Sequence, residues 1–266
     1  MALPLRDDAP TRRTPWVTIA LILVNLVVFL FLQPPWFQRQ EAEDEVQLDE
    51  YEDVVAAERY VWSWGVVPCE VMSGKPLADS PSTCDRDRPP RVLLDGDKVV
   101  WVGLLTSAFL HSGLLHLLGN LLFLWVFGNN VEDRLGHLTY LAFYLVGGVV
   151  AALGFVLANQ HSVVPGIGAS GAIAAVMGAY LVFRPRAKIL TMVGTAAFQV
   201  VYVPAYVVLG LFFVTQFLIP DDEAIAWEAH AAGMAFGMVA ALLLARLFPD
   251  PAAKRDPSVV SAGSSF

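Results

Sequence analysis

The sequence predicts an all-α, polytopic membrane protein folded as a bundle of six transmembrane helices. Three observations carry that expectation. Of the 266 residues, 56% are hydrophobic and only 16% charged, whereas soluble domains run to about a quarter charged. The apolar residues are gathered into a countable series of runs, each near the length needed to cross a bilayer. Lys and Arg alternate between rich and empty connectors along that series.

In chain order, residues 1–15 form a polar N-terminus with Arg6, Arg12 and Arg13. Residues 16–32 (WVTIALILVNLVVFLFL) hold no charge, and at 1.5 Å per residue they reach about 25 Å. A cleaved secretory signal is the alternative, because Arg12 and Arg13 precede the run. Its length and the following QPPWFQ, in place of an A-x-A-like site, favour a retained helix. Residues 33–100 make a long loop. Nine of the 25 acidic residues fall within 41–58 of it, a pattern that reads as a solvated stretch. The loop also holds the two cysteines, Cys69 and Cys84. They fit either a disulfide in an oxidising compartment or a pair of free thiols. With no C-x-x-C, a bridge would brace the loop and carry no redox chemistry. Further spans are expected at 104–127, 138–158, 169–183 (short), within 189–219 after an inner or re-entrant part, and at 229–248, followed by a tail over 249–266.

Short connectors set orientation through their basic residues. Arg134 lies between spans two and three, Arg184, Arg186 and Lys188 between four and five, and Arg246, Lys254 and Arg255 in the tail. The three–four connector (NQHSVVPGIG) and the five–six connector (PDDEAIAWE) have no Lys or Arg. Both termini are therefore expected in the cytoplasm, for a multi-pass protein of the inner or plasma membrane. The first loop is placed outside despite its seven basic residues, because long loops translocate largely regardless of charge. Lipid is the implied surroundings. Without a basic patch interleaved with aromatics, nucleic acid is not an expected partner.

Polar groups inside spans are costly, and each is a functional hypothesis. In the second span His116 and Asn120 are four apart and share a helical face, with His111 at the outer end of the same helix. Ser170 opens the fourth span and His230 lies in the outer part of the sixth. Ser170, Ala174 and Gly178 form one small-residue stripe, and His230, Gly233 and Gly237 another. Such faces let two backbones approach closely in lipid, so packing stripe on stripe would join Ser170 to His230. A serine hydroxyl needs an adjacent base to become a nucleophile, and histidine suits that work. The oxyanion would need donors, for which the Ser170 backbone N–H, Asn120 and His116 are candidates. Taken singly, Ser170 is a packing residue at a helix start and a lone membrane histidine a helix–helix hydrogen bond. Three histidines also raise metal or haem, but no thiol or carboxylate lies at their depth and H-x4-H is not a zincin spacing. No metal and no cofactor is expected.

At these residues the sequence resembles the rhomboid family, from His111 to Gly237. The motifs are His116-Leu-Leu-Gly-Asn120 with His111 upstream, Gly128-Asn-Asn-Val-Glu132-Asp-Arg-Leu-Gly136, Gly168-Ala169-Ser170-Gly171, and Ala229-His230-Ala-Ala-Gly233-Met-Ala-Phe-Gly237. The resemblance implies a six-helix rhomboid-like bundle with its catalytic core over 101–248. It implies an intramembrane serine endopeptidase cutting transmembrane protein substrates near their extracytoplasmic boundary. Ser170 would be nucleophile, His230 general base, and His116, Asn120 and the Ser170 amide the oxyanion hole; His111, Gly168, Gly171, Glu132, Gly233 and Gly237 would support them. Two departures stand out. The Trp-Arg pair common in the family's first loop is replaced by Trp101-Val102, and the tyrosine that some members place four residues after the serine is Ala174. Inactive relatives lack the serine or histidine, or carry proline before the serine, where this chain has Ala169. A catalytically silent binder or escort of membrane proteins is the alternative function, with a transporter or haem carrier behind it.

Overall fold

The computed structural model describes residues 2–34, 48–79, 84, 96–194, 199–216 and 226–248. Residues 41–47 of the acidic run, most of the five–six connector (220–225) and the tail 249–266 lie outside them. Helix α1 (Trp16–Val27) follows Pro15 and continues through a π-turn, Val28–Leu32. The rest of the acidic run opens α2 (Leu48–Trp64), which leads to the short α3 (Pro68–Ser73) and α4 (Gly103–Thr106). The bundle proper comprises α5 (Leu114–Leu135), α6 (His137–Ala158), α7 (Ser170–Phe183), α8 (Ala205–Gln216) and α9 (Trp227–Leu247). By length and composition α5, α6 and α9 suffice to cross a membrane, while Trp16–Leu32, Val100–Phe109, α7 and α8 are shorter apolar helices. Leu115 and Leu138 are 86% and 83% exposed on the outside of the bundle, where lipid would take the place of a protein core.

α7 is the central helix. Every residue from Gly171 to Tyr180 is buried, the pattern of a helix apolar all round, and it packs against α5, α6 and α9. Small residues set its spacing from α9. A Cβ added at Gly233 would run into the carbonyl of Gly171, one at Gly237 into that of Ala175, and one at Gly178 into that of Met234. The contact face of α7 is thus Gly171, Ala175 and Gly178: Gly178 of the expected stripe lies on it, while Gly171 and Ala175 stand there in place of Ser170 and Ala174. That arrangement leaves the Ser170 side chain at the edge of the seam.

The expected second span is shorter than its apolar run. Residues Val100–Phe109 form a separate helical segment, and the backbone extends at Leu110 and again at Gly113 before α5 begins. His111 therefore precedes α5 and does not sit on its outer turn. Ser112 and Gly113 are weak helix formers, which suits the break.

The bundle carries different structure at its two ends. At one, a three-stranded antiparallel sheet runs in the order β1 (Ala2–Asp7), β2 (Lys188–Val193), β3 (Gln199–Pro204). This sheet, absent from the sequence expectation, occupies residues read as N-terminal tail and inner loop. Asp7 anchors it to the helices: Tyr180 of α7 donates its hydroxyl to Asp7 Oδ2 at 2.7 Å, and Asn130 of α5 donates from Nδ2 at 2.6 Å. Burial raises the Asp7 carboxyl above its usual range, with the Tyr180 hydrogen bond opposing.

At the other end the first loop packs on the connector between α6 and α7. Val66 and Gly166 exchange backbone hydrogen bonds, and the Cys69 N–H donates to the Ser162 carbonyl at 3.0 Å. Cys69 and Cys84 form a disulfide with Cα atoms 5.8 Å apart, buried with Val67, Leu77 and Val163. Trp101 is exposed. Lys98 anchors the loop, donating from Nζ to the carbonyls of Trp62 and Gly65 and to the Glu70 carboxylate.

Candidate active site

The site assembles at the first-loop end, from the starts of α5, α7 and α9 and the end of α8. Gly168 has φ +122°, a conformation that L side chains rarely adopt. Its N–H donates to the Ser107 carbonyl at 2.8 Å. A Cβ there would lie 2.9 Å from His116 Nε2 and 3.6 Å from Ser170 Oγ. Glycine thus lets the chain turn sharply into α7 while His116 lies close by. Ser170 is the first residue of α7, where backbone N–H groups at a helix start favour negative charge.

Ser170 Oγ lies 2.8 Å from His230 Nε2. On its far side, His230 Nδ1 meets Gln216 Oε1 at 2.7 Å. The Gln216 amide is oriented by its own donor, since Nε2 bonds to the Phe212 carbonyl at 3.3 Å. An amide oxygen only accepts, so the proton of His230 resides on Nδ1 and Nε2 is left as an acceptor for the serine hydroxyl. The Phe212 ring is tilted toward the imidazole, with centroids 6.3 Å apart. Gln216 and Phe212, one turn apart on α8, both contact the His230 ring. Neither was read from the sequence. The available signal was weak: Gln216 is a polar residue within an apolar run, with nothing nearby in sequence to name its partner.

His116 has its tautomer set by a similar argument. The Ser112 N–H donates to His116 Nδ1 at 3.4 Å, and Ser112 Oγ is 3.0 Å from the same atom. With Nδ1 accepting, Nε2 carries the proton and offers it toward the Gly168–Ser170 turn. Asn120 is buried, and its Nδ2 has no hydrogen-bond partner among the described residues. His111 is wholly buried and stacks edge-on against His116, with centroids 5.1 Å apart. Its backbone is clamped by Gln33, which accepts from the His111 N–H and donates to its carbonyl. His111 thus buttresses His116 from behind. A cavity of about 40 Å³, lined by Ser107, Ala151, Phe155, Gly171 and Ala229 among others, opens beside Ser170, with room for water.

Glu132 belongs to a different part of the structure. It accepts from the Val17 and Thr18 N–H groups at 2.8 Å each and from Thr18 Oγ1 at 2.7 Å, and its Oε1 lies 2.6 Å from His137 Nδ1. Its role is to cap α1, which no N-cap side chain does. No arginine from the first loop is needed there. Gly233 and Gly237 contribute through close helix approach, as described above.

Comparison with known proteins identifies the family. The Rhomboid domain matches residues 98–247, more than half of the chain. The chain is 34% identical over 115 residues to "Rhomboid protein 1, mitochondrial" of Saccharomyces cerevisiae, covering 41% of this chain and 33% of that protein. It is 36% identical over 97 residues to "Rhomboid protease GluP" of Bacillus subtilis (36% and 18%). Against "RHOMBOID-like protein 12, mitochondrial" of Arabidopsis thaliana the figures are 28% over 163 residues (54% and 46%). In each case the matched stretch spans less than half of the relative's own length. With its helical bundle, its apolar outer surface and this domain match, the chain is a membrane protein of the rhomboid family.

Proposed function

We propose that the protein is an intramembrane serine endopeptidase acting on transmembrane segments of other membrane proteins. The observation that carries the reading is His230 Nε2, an acceptor by tautomer, facing Ser170 Oγ at 2.8 Å. In the mechanism, His230 takes the Ser170 proton as Oγ attacks the scissile carbonyl, then returns it to the leaving amine. The developing oxyanion meets the Ser170 backbone N–H, Asn120 Nδ2 and His116 Nε2–H. Water beside Ser170 then hydrolyses the acyl-enzyme, with His230 again as base.

The connections at the two ends support the orientation. β1 precedes α1 and pairs with β2, which follows α7. Pairing across the intervening helices requires an even number of crossings between them. The first loop likewise packs on the α6–α7 connector at the opposite end. The basic residues Arg6, Arg184, Arg186 and Lys188 all fall at the sheet end, which the positive-inside rule assigns to the cytoplasm. Ser170 then lies toward the outer face, and clients are single-span proteins cut near their extracytoplasmic boundary.

A fluorophosphonate probe and a membrane substrate test the reading together. Labelling and cleavage should both disappear in Ser170→Ala and His230→Ala, survive EDTA, and show no further loss in the double variant, because the pair acts as a unit. Cleavage by Ser170→Ala at the wild-type rate would refute it; a folded wild-type protein that neither labels nor cuts points to a silent binder.

A further inference from the structure

We propose that Gln216 is a positioning residue that completes the Ser170–His230 pair by holding the histidine in its productive tautomer, an inference resting on the serine protease reading. His230 is buried, and the groups bonded to its ring are Ser170 on one nitrogen and Gln216 on the other. Among the described residues no carboxylate bonds to it, and Phe212 covers its side. Which imidazole nitrogen carries the proton depends on the partner of the other. If Nδ1 had no acceptor, the proton could sit on Nε2, and Nε2–H cannot take a proton from serine.

Gln216 removes that freedom twice over. Its amide oxygen accepts at 2.7 Å, and its amide nitrogen donates to the Phe212 carbonyl, so a flip that presented a donor to His230 would set the amide oxygen against that carbonyl. The side chain is itself buried, which keeps water from competing for Nδ1. It does the orienting work that a triad aspartate does elsewhere, without adding a negative charge within the bilayer, where ionised groups are costly. Among the described residues the titratable groups nearest His230 are His116 of α5, whose Nδ1 is committed to Ser112, and Glu228 on its own helix, which accepts from Asn159.

The experiment uses full-length protein in detergent with a membrane substrate, comparing wild type, Ser170→Ala, Gln216→Leu and Gln216→Glu. Gln216→Leu should lower kcat by roughly 10- to 100-fold, less than the ~10⁴-fold of losing a triad carboxylate, with KM changed by less than about twofold. Gln216→Glu keeps an acceptor on Nδ1 and should retain cleavage, with the acid limb of its kcat/KM profile at higher pH than wild type. That limb reports the base of the free enzyme, and a role confined to packing would leave it in place. Wild-type kcat in Gln216→Leu, or an unmoved acid limb in Gln216→Glu, overturns the proposal. The second measurement decides the matter alone if Gln216→Leu does not fold. Equal cleavage by wild type and Ser170→Ala would instead remove the protease reading beneath it.

Discussion

Asn120 holds a buried amide donor with no hydrogen-bond partner among the described residues. Leaving a donor unsatisfied costs about 1–3 kcal/mol, a cost best explained if the donor is matched by charge that appears during reaction. Asn120→Ala should therefore cut kcat by about 10²–10³-fold while KM moves little; steady-state kinetics on a membrane substrate checks this, and a loss confined to KM would make Asn120 a substrate-binding residue. His116→Ala should behave alike, since its Nε2–H points to the same turn. At this scale the sequence was informative wherever two polar residues share a helix, as His116 and Asn120 do. It was silent on Gln216, whose partner arrives from another helix 14 positions on.

Between elements, the seam of α7 and α9 decides whether Ser170 and His230 meet. Gly237 faces the Ala175 carbonyl with no room for a methyl group. Gly237→Ala should cost about 1–3 kcal/mol of overpacking and, by prising α9 from α7, reduce fluorophosphonate labelling at temperatures where the protein stays folded. Thermal unfolding alongside labelling rate separates the two effects; unchanged labelling and unchanged stability would show that the seam has slack. The small-residue stripes were legible because glycine and alanine at helical spacing in an apolar run have few other uses. On α9 the facing of Gly233 and Gly237 held, and on α7 that of Gly178; Ser170 and Ala174 were one residue off, since a helix buried on all sides gives no hydrophobic asymmetry from which to read a contact face. The sheet was missed for a related reason: KILTMV and QVVYVP are short apolar runs that hydropathy alone does not distinguish from helix. Their β-branched content was the overlooked signal.

Across the whole molecule, the first loop is a separate brace over the end that holds Ser170. Its contacts are a disulfide closing 15 residues, a buried lysine–carboxylate pair and a two-residue backbone bridge to Gly166, with the glycine at 166 pressed against Phe155 of the cavity wall. Replacing both cysteines by serine should lower stability by about 3 kcal/mol in the chain-entropy model. Because the brace touches the connector that carries Gly168, some loss of turnover should accompany it. Differential scanning fluorimetry of the double variant, with and without reductant, reads the first effect; a midpoint equal to wild type would mean that Lys98 and the bridge suffice. The cysteine pair was visible in the sequence. Lys98 was not, because one lysine among seven basic residues carries no mark of burial.

The pairing of Ala2 with Val193 also sets an order of events during synthesis. β1 leaves the ribosome first, yet its partner follows some 190 residues later, and at ~5–20 residues per second that is a wait of roughly 10–40 s. Through that interval the strand waits without its partner while α1, α5, α6 and α7 are made. Its Asp7 carboxyl gives up water only when α7 has delivered Tyr180. Closing the sheet is thus a late event, a seal set after the helix bearing Ser170 is in place.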